Sequence, residues 1–75
     1  MIEFEIVFTY LIGCAGSAYP QTSFEEAELT NTDDYIKAKH SKDYNQFVKE
    51  VLSETQVKYT FDNGTVTYIY EFTEL

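Results

Sequence analysis

Residues 2–12 read IEFEIVFTYLI, and the spacing of this stretch decides what kind of protein follows. Its even positions are all apolar (Ile2, Phe4, Ile6, Phe8, Tyr10, Ile12), while the odd positions are Glu3, Glu5, Val7, Thr9 and Leu11. Alternation with a period of two is the pattern of a strand buried on one face. A competing reading comes from the residues just beyond. Leu11-Ile12-Gly13-Cys14 fits the short pattern at which bacterial lipoproteins are cut and lipidated, and Ala15 to Ala18 passes for a small-residue cleavage site. An export signal, however, needs a basic start before an apolar run of about 7–15 residues. Here the start bears Glu3 and Glu5, and the first basic side chain is Lys37. No stretch approaches the ~20 apolar residues of a spanning helix. Residues 2–12 are therefore expected to form a strand, and Gly13 to Gln21 a loop broken by Gly13, Gly16, Ser17 and Pro20. The protein is expected in the cytoplasm, off the membrane.

Outward from this strand, TSFEEAEL at residues 22–29 admits two readings. Ser23 with Glu26 matches a capping box, which favours a short helical turn over 24–29. A strand returning along the first, with Phe24 inward, is the more compact alternative and is favoured for part of 22–30. Asn31-Thr32-Asp33-Asp34 is a turn or a helix cap. Tyr44, Phe47, Val48, Val51 and Leu52 fall at i, i+3, i+4, i+7 and i+8, an apolar helical stripe. Ser41 would cap that helix and Asp43 would sit in its first turn. Tyr35 to His40 is ambiguous, because it extends the stripe and also alternates like a strand. Near the C-terminus, Asn63-Gly64 is a strong signal for a two-residue hairpin turn. It sets Phe61 opposite Val66, Tyr59 opposite Tyr68 and Val57 opposite Tyr70, with Phe72 continuing that face. The expected fold is α+β: an antiparallel sheet of three to four strands with one helix packed on one face, in the order β(β)αββ.

A chain of 75 residues makes a single domain, 1–75. Such a chain buries only about 60% of the surface its unfolded form exposes, so its core is marginal. One cysteine excludes an internal disulfide, and one cysteine with one histidine falls short of a structural zinc set. Self-association is the remaining support, and a homodimer is expected. The 6 Phe and 7 Tyr separate the chain from disordered acidic segments, which are poor in aromatics.

The residues offer little to catalysis. A thiol nucleophile needs a base and usually a third group to orient it, and Cys14 with His40 meets only the minimum. Chance alone pairs many of the 13 acids, so a paired-carboxylate mechanism has no specific support. Glu25, Glu26, Glu28, Asp33 and Asp34 are close in sequence but lack the calcium-loop pattern with its central glycine. Asn63-Gly64-Thr65 matches a glycosylation triplet and is read as a turn. The tyrosine-rich sheet face is read as core rather than as a base-stacking platform, because such platforms lie in basic grooves and this chain has no arginine. No enzyme, cofactor or metal site is expected.

Charge is the strongest functional signal. The formal net charge is −8, which disfavours direct contact with nucleic acid or with an anionic membrane and favours a basic partner. Residues 1–36 carry Glu3, Glu5, Glu25, Glu26, Glu28, Asp33 and Asp34 with no base, whereas Lys37, Lys39, Lys42, Lys49 and Lys58 are confined to 37–58. Glu3 and Glu5 point off the outward face of their strand. Asp62 and Glu71 do the same on the hairpin. Rows of carboxylates are thus expected across one sheet face, with the 23–34 stretch at its border. Val7, Leu11 and Ile69 share that face as an apolar patch, the candidate for self-association.

In size, charge and α+β build the chain resembles the small acidic proteins that phages encode to occupy host nucleic-acid-binding proteins by imitating DNA. The resemblance implies a non-enzymatic inhibitor acting in the host cytoplasm on a basic DNA-binding protein, such as an HU-type nucleoid protein, a repair or restriction enzyme, or a CRISPR nuclease. Glu3, Glu5, Glu25, Glu26, Glu28, Asp33 and Asp34 would stand in for phosphates, with Asp62 and Glu71 adding to the surface. The alternatives are an immunity or antitoxin-like module that grips its partner by aromatic anchors and, more remotely, a small enzyme.

Overall fold

The computed structural model describes residues 1–12 and 21–75. Of the loop expected over Gly13 to Gln21, residues 13–20, Cys14 among them, lie outside the described residues, and Gln21 belongs to a strand. Strand β1 (Ile2–Ile12) follows the alternation of its sequence, and β2 (Gln21–Leu29) returns antiparallel along it. Helix α1 (Thr32–Lys39) crosses one face, followed by a single 3-10 turn over Tyr44–Gln46. Three strands complete the fold: β3 (Val48–Val51), β4 (Gln56–Asp62) and β5 (Val66–Glu74). The sheet order is β2-β1-β5-β4-β3, with every neighbouring pair antiparallel. The α+β class and the helix on one face agree with the sequence. The strand count does not: the described residues form five strands in the order ββαβββ, not three or four as β(β)αββ.

The main difference concerns the helix. It occupies Thr32–Lys39 rather than the stripe from Tyr44 to Leu52. Local chemistry at Asn31 decides its start. The Asn31 side-chain oxygen accepts from the Asp34 amide at 2.8 Å, Asp33 and Asp34 lie in the first turn, and Lys37 and Lys39 in the last. The cap satisfies an orphan amide and the charges complement the helix dipole. Thr32 and Ile36 form the buried face, with Tyr35 beside them, and Ile36 is 0% exposed. The apparent stripe divides instead. Tyr44 and Phe47 pack against the core, while Val48–Val51 pairs with β4. Two forces favour a strand there. The β-branched valines suit the pleat, and β4 would otherwise leave a row of unpaired amides and carbonyls. The Leu52 and Ser53 amides both donate to the Gln56 carbonyl, at 3.0 and 3.2 Å, and close the β3–β4 connection.

The second difference is the hairpin register. Asp62 lies opposite Thr67, Phe61 opposite Tyr68, Tyr59 opposite Tyr70 and Val57 opposite Phe72. The turn is centred one residue later than the Asn63-Gly64 signal implies, on Gly64-Thr65. Within this turn Gly64 alone takes a positive φ, +88°. Asn63 stays paired with Val66, its amide donating to the Val66 carbonyl at 3.2 Å. The Asn63 side-chain oxygen then accepts from the amides of Thr65 and Val66 at 2.9 and 2.8 Å. Each residue's partner changes by two positions, which leaves the facing of every side chain intact.

The inner face is an aromatic core. Phe72 is 0% exposed and meets Phe4, Tyr35 and Tyr59 edge to face, at centroid separations of 6.2, 5.4 and 5.6 Å. Eight helical residues span only about 12 Å, far less than the strands beneath. Past the helix the sheet aromatics stack on one another: Phe8 on Tyr70 at 4.5 Å, Tyr10 on Tyr68 at 5.4 Å and Phe61 on Tyr68 at 5.7 Å.

Candidate functional site

Because α1 covers one face only, the other face of the sheet is open among the described residues, and its chemistry follows from the register. Residues directly opposite in an antiparallel pair point the same way. Glu3 is opposite Glu28 and Glu5 is opposite Glu26, all on the open face. Carboxylates therefore occupy a two-by-two array, about 5 Å apart across the strands and about 7 Å apart along them. No lysine lies in this array. Lys58 stands in the next row, opposite both Glu71 and Glu50, and offsets that row instead. Asp62 lies toward the far end of the same face, opposite Thr67.

The structure thus divides the expected acidic residues. Glu3, Glu5, Glu26, Glu28, Asp62 and Glu71 share the open face. Glu25, Asp33 and Asp34 lie on the helix side, where each has an intramolecular partner. Tyr35 donates its hydroxyl to Glu25 at 3.0 Å, and Asp34 accepts from the Asn31 side chain at 3.0 Å. Asp33 accepts from the Tyr59 hydroxyl and pairs with Lys49 at 3.5 Å. The 23–34 stretch therefore does not form one border of the acidic face. Alternation in β2 sends Glu25 in and Glu26 and Glu28 out, and the helix carries Asp33 and Asp34 away. Lys37, Lys39, Lys42 and Lys49 also belong to the helix side, so the two sides differ strongly in charge.

Phe24 is a further correction. Expected inward, it lies opposite Val7 on the open face and is 74% exposed. Ala27 and Leu29, at the opposite parity, take the inward positions against the core. The sequence signal was present in that Ala27-Leu29 alternation, which outvotes a single phenylalanine. Val7, Leu11 and Ile69 come together as expected from the pleat: Ile69 is opposite Thr9 and so falls diagonally between Val7 and Leu11. Glu50 was not anticipated on this face, because its segment read as helix.

Three phenols on the covered side are held neutral. Burial, then hydrogen bonding to Asp33, raises the Tyr59 hydroxyl well above its ordinary range. Burial and the bond to Glu25 do the same for Tyr35. Burial, with Tyr68 and Glu25 nearby, pushes Tyr70 up to about 12. These phenols act as hydrogen-bond donors and anchors rather than as bases. The Tyr59 hydroxyl also accepts from Thr32 at 2.8 Å, which ties α1 to β4. Among the described residues no cluster of three His, Cys, Asp or Glu side chains is placed to hold a metal ion, and no helix is long and apolar enough to cross a membrane.

His40 sits at the end of α1, with its Nε2 2.6 Å from the Tyr70 hydroxyl and its ring packed against Phe47 and Tyr68. Burial lowers its pKa below the ordinary 6.5, with Lys39 adding to the effect and Asp43 opposing it. The unfolded chain then binds the proton more readily than the folded one. Stability is full above about pH 6.5 and declines as pH falls toward the lowered value. The melting temperature is expected to drop between pH 7.5 and 5.5, and His40→Gln is expected to flatten that drop. An equal drop in the variant would assign the effect to other groups.

Compared with protein-family models, with curated proteins and with solved structures, the chain matches none.

Proposed function

We propose that this protein is a non-enzymatic inhibitor, acting in the cytoplasm, that occupies the nucleic-acid groove of a basic protein with the open face of its sheet. The observation that carries the reading is the array of Glu3, Glu5, Glu26 and Glu28, opposed in pairs with no cation among them. Two carboxylates per row, with rows about 7 Å apart, give roughly one charge per 3.4 Å along the strand, the axial density of a single nucleic-acid strand. Like charges directly opposite one another destabilise a sheet. Surface acids serving only solubility do not require that placement.

The test uses immobilised protein and a bacterial lysate at low salt. DNA-binding proteins are expected to be retained, to be released as salt rises, and to be displaced by duplex DNA. Retention of no DNA-binding protein, or retention that duplex DNA leaves untouched, overturns the reading. One observation favours a second reading, an immunity-like module: Phe24 projects beside Val7 as a ready aromatic anchor. Binding of that kind would tolerate salt and be lost in Phe24→Ala.

A further inference from the structure

The two edges of the sheet are built differently. β3 is short, four residues, and turns Lys49 toward the helix side, where it pairs with Asp33. Short edge strands with inward charges resist pairing with another chain. β2 shares only the inward charge, at Glu25, and is not short. It is the outermost strand at the other edge, nine residues long, with no proline or lysine in it. Phe24 stands one residue from its centre, 74% exposed. Its only guards are Glu25, Glu26 and Glu28, and these act by register. We infer that two copies of the chain pair antiparallel through β2, about a two-fold axis at Phe24, to form one continuous ten-stranded sheet.

Charge selects this register. A two-fold axis perpendicular to a sheet pairs residues of the same facing, so the partners' numbers sum to an even value. Centring on Glu25 or on Glu26 sets that carboxylate against its own copy. Centring on Ala27 sets Glu26 against Glu28. Centring on Phe24 pairs Gln21 with Ala27, Thr22 with Glu26, Ser23 with Glu25 and Phe24 with Phe24, and no acid opposes an acid. Centring on Ser23 also avoids repulsion but shortens the overlap. The Phe24 register is therefore the longest without a like-charge pair, and it joins two aromatic rings, a favourable cross-strand contact. It also stands against the alternative of stacking open faces through Val7, Leu11 and Ile69. Sheets stacked face to face lie about 10 Å apart, which would set the two glutamate arrays toward each other. Edge pairing leaves both arrays in water on one side of the joint sheet.

Disulfide trapping reads the register directly, because opposed Cα atoms about 5 Å apart are within the span of a disulfide. With Cys14→Ser as background, Phe24→Cys is expected to form a covalent dimer under mild oxidation. Thr22→Cys and Glu26→Cys, each alone, are expected to remain monomeric on denaturing gels. Mixed together they are expected to link to each other, and that pair retains Phe24. Sedimentation equilibrium of the unmodified chain is expected to give the dimer mass, and Phe24→Lys the monomer mass. A monomer mass for the unmodified chain at every concentration overturns the proposal. So does self-linking of Glu26→Cys, or an Ile69→Cys dimer that forms in place of the 22–26 link.

Discussion

Replacing Phe72 with alanine is expected to abolish most of the folded population at room temperature. Phe72 is fully buried and is the point where four aromatic rings converge: Phe4 from β1, Tyr35 from α1, Tyr59 from β4 and Tyr70 on its own strand. Truncating a buried phenylalanine costs about 3–5 kcal/mol, part from lost transfer energy and part from the cavity left behind. At roughly 0.05–0.15 kcal/mol per residue, a chain of this length has about 4–11 kcal/mol to lose. Its small size puts it toward the low end. Urea unfolding followed by circular dichroism measures the result. The variant should show a midpoint near zero denaturant, whereas Phe24→Ala, on the open face, should shift it little beyond any change in self-association. A Phe72→Ala midpoint close to the parent's would mean that the helix is not held by this cluster.

The same core shows which parts of the fold are legible in sequence. β1 is read residue for residue, because its even positions from Ile2 to Ile12 are apolar without exception and no helical stripe competes. The cap at Asn31 is visible as well, yet the sequence alone leaves it undecided between turn and helix. Tyr44, Phe47, Val48, Val51 and Leu52 mislead because helical and strand periods overlap over short runs. Tyr44 and Phe47 do reach the core, but from a 3-10 turn, and the valines serve the free edge of β4, a demand that no local window contains. The Asn63-Gly64 turn is found and mis-centred by one residue, because the Asn63 side chain accepts two amides and holds that residue within the ladder. The acidic array follows from alternation once β2 is known to pair with β1. The parity of β2, and with it the outward turn of Phe24 and the inward turn of Glu25, is carried only by the small Ala27-Leu29 alternation, which the larger Phe24 masks.

Neutralising the array should move stability and binding in opposite directions. In the variant carrying Glu3→Gln, Glu5→Gln, Glu26→Gln and Glu28→Gln, two like-charge cross-strand pairs disappear, each worth about 0.2–1 kcal/mol. The fold should therefore gain roughly 0.4–2 kcal/mol, a rise of several degrees in melting temperature for so small a domain. Binding to a basic partner should weaken by about 10- to 100-fold in ~0.1 M salt, if each exposed charge contributes a few tenths of a kcal/mol or more. The remaining affinity should depend less steeply on salt. Asp33→Asn with Asp34→Asn provides the contrast. These carboxylates hold Tyr59, Lys49 and the start of α1, so their loss should destabilise the fold while leaving the open face and its affinity intact. Calorimetry of both variants, with titration against a DNA-binding protein recovered at low salt, separates the cases. A four-glutamine variant that melts higher and binds as tightly as the parent would show that the array serves solubility alone. One that melts higher and no longer binds would show that these carboxylates are kept at a cost to the fold, which is the mark of a surface selected for its partner.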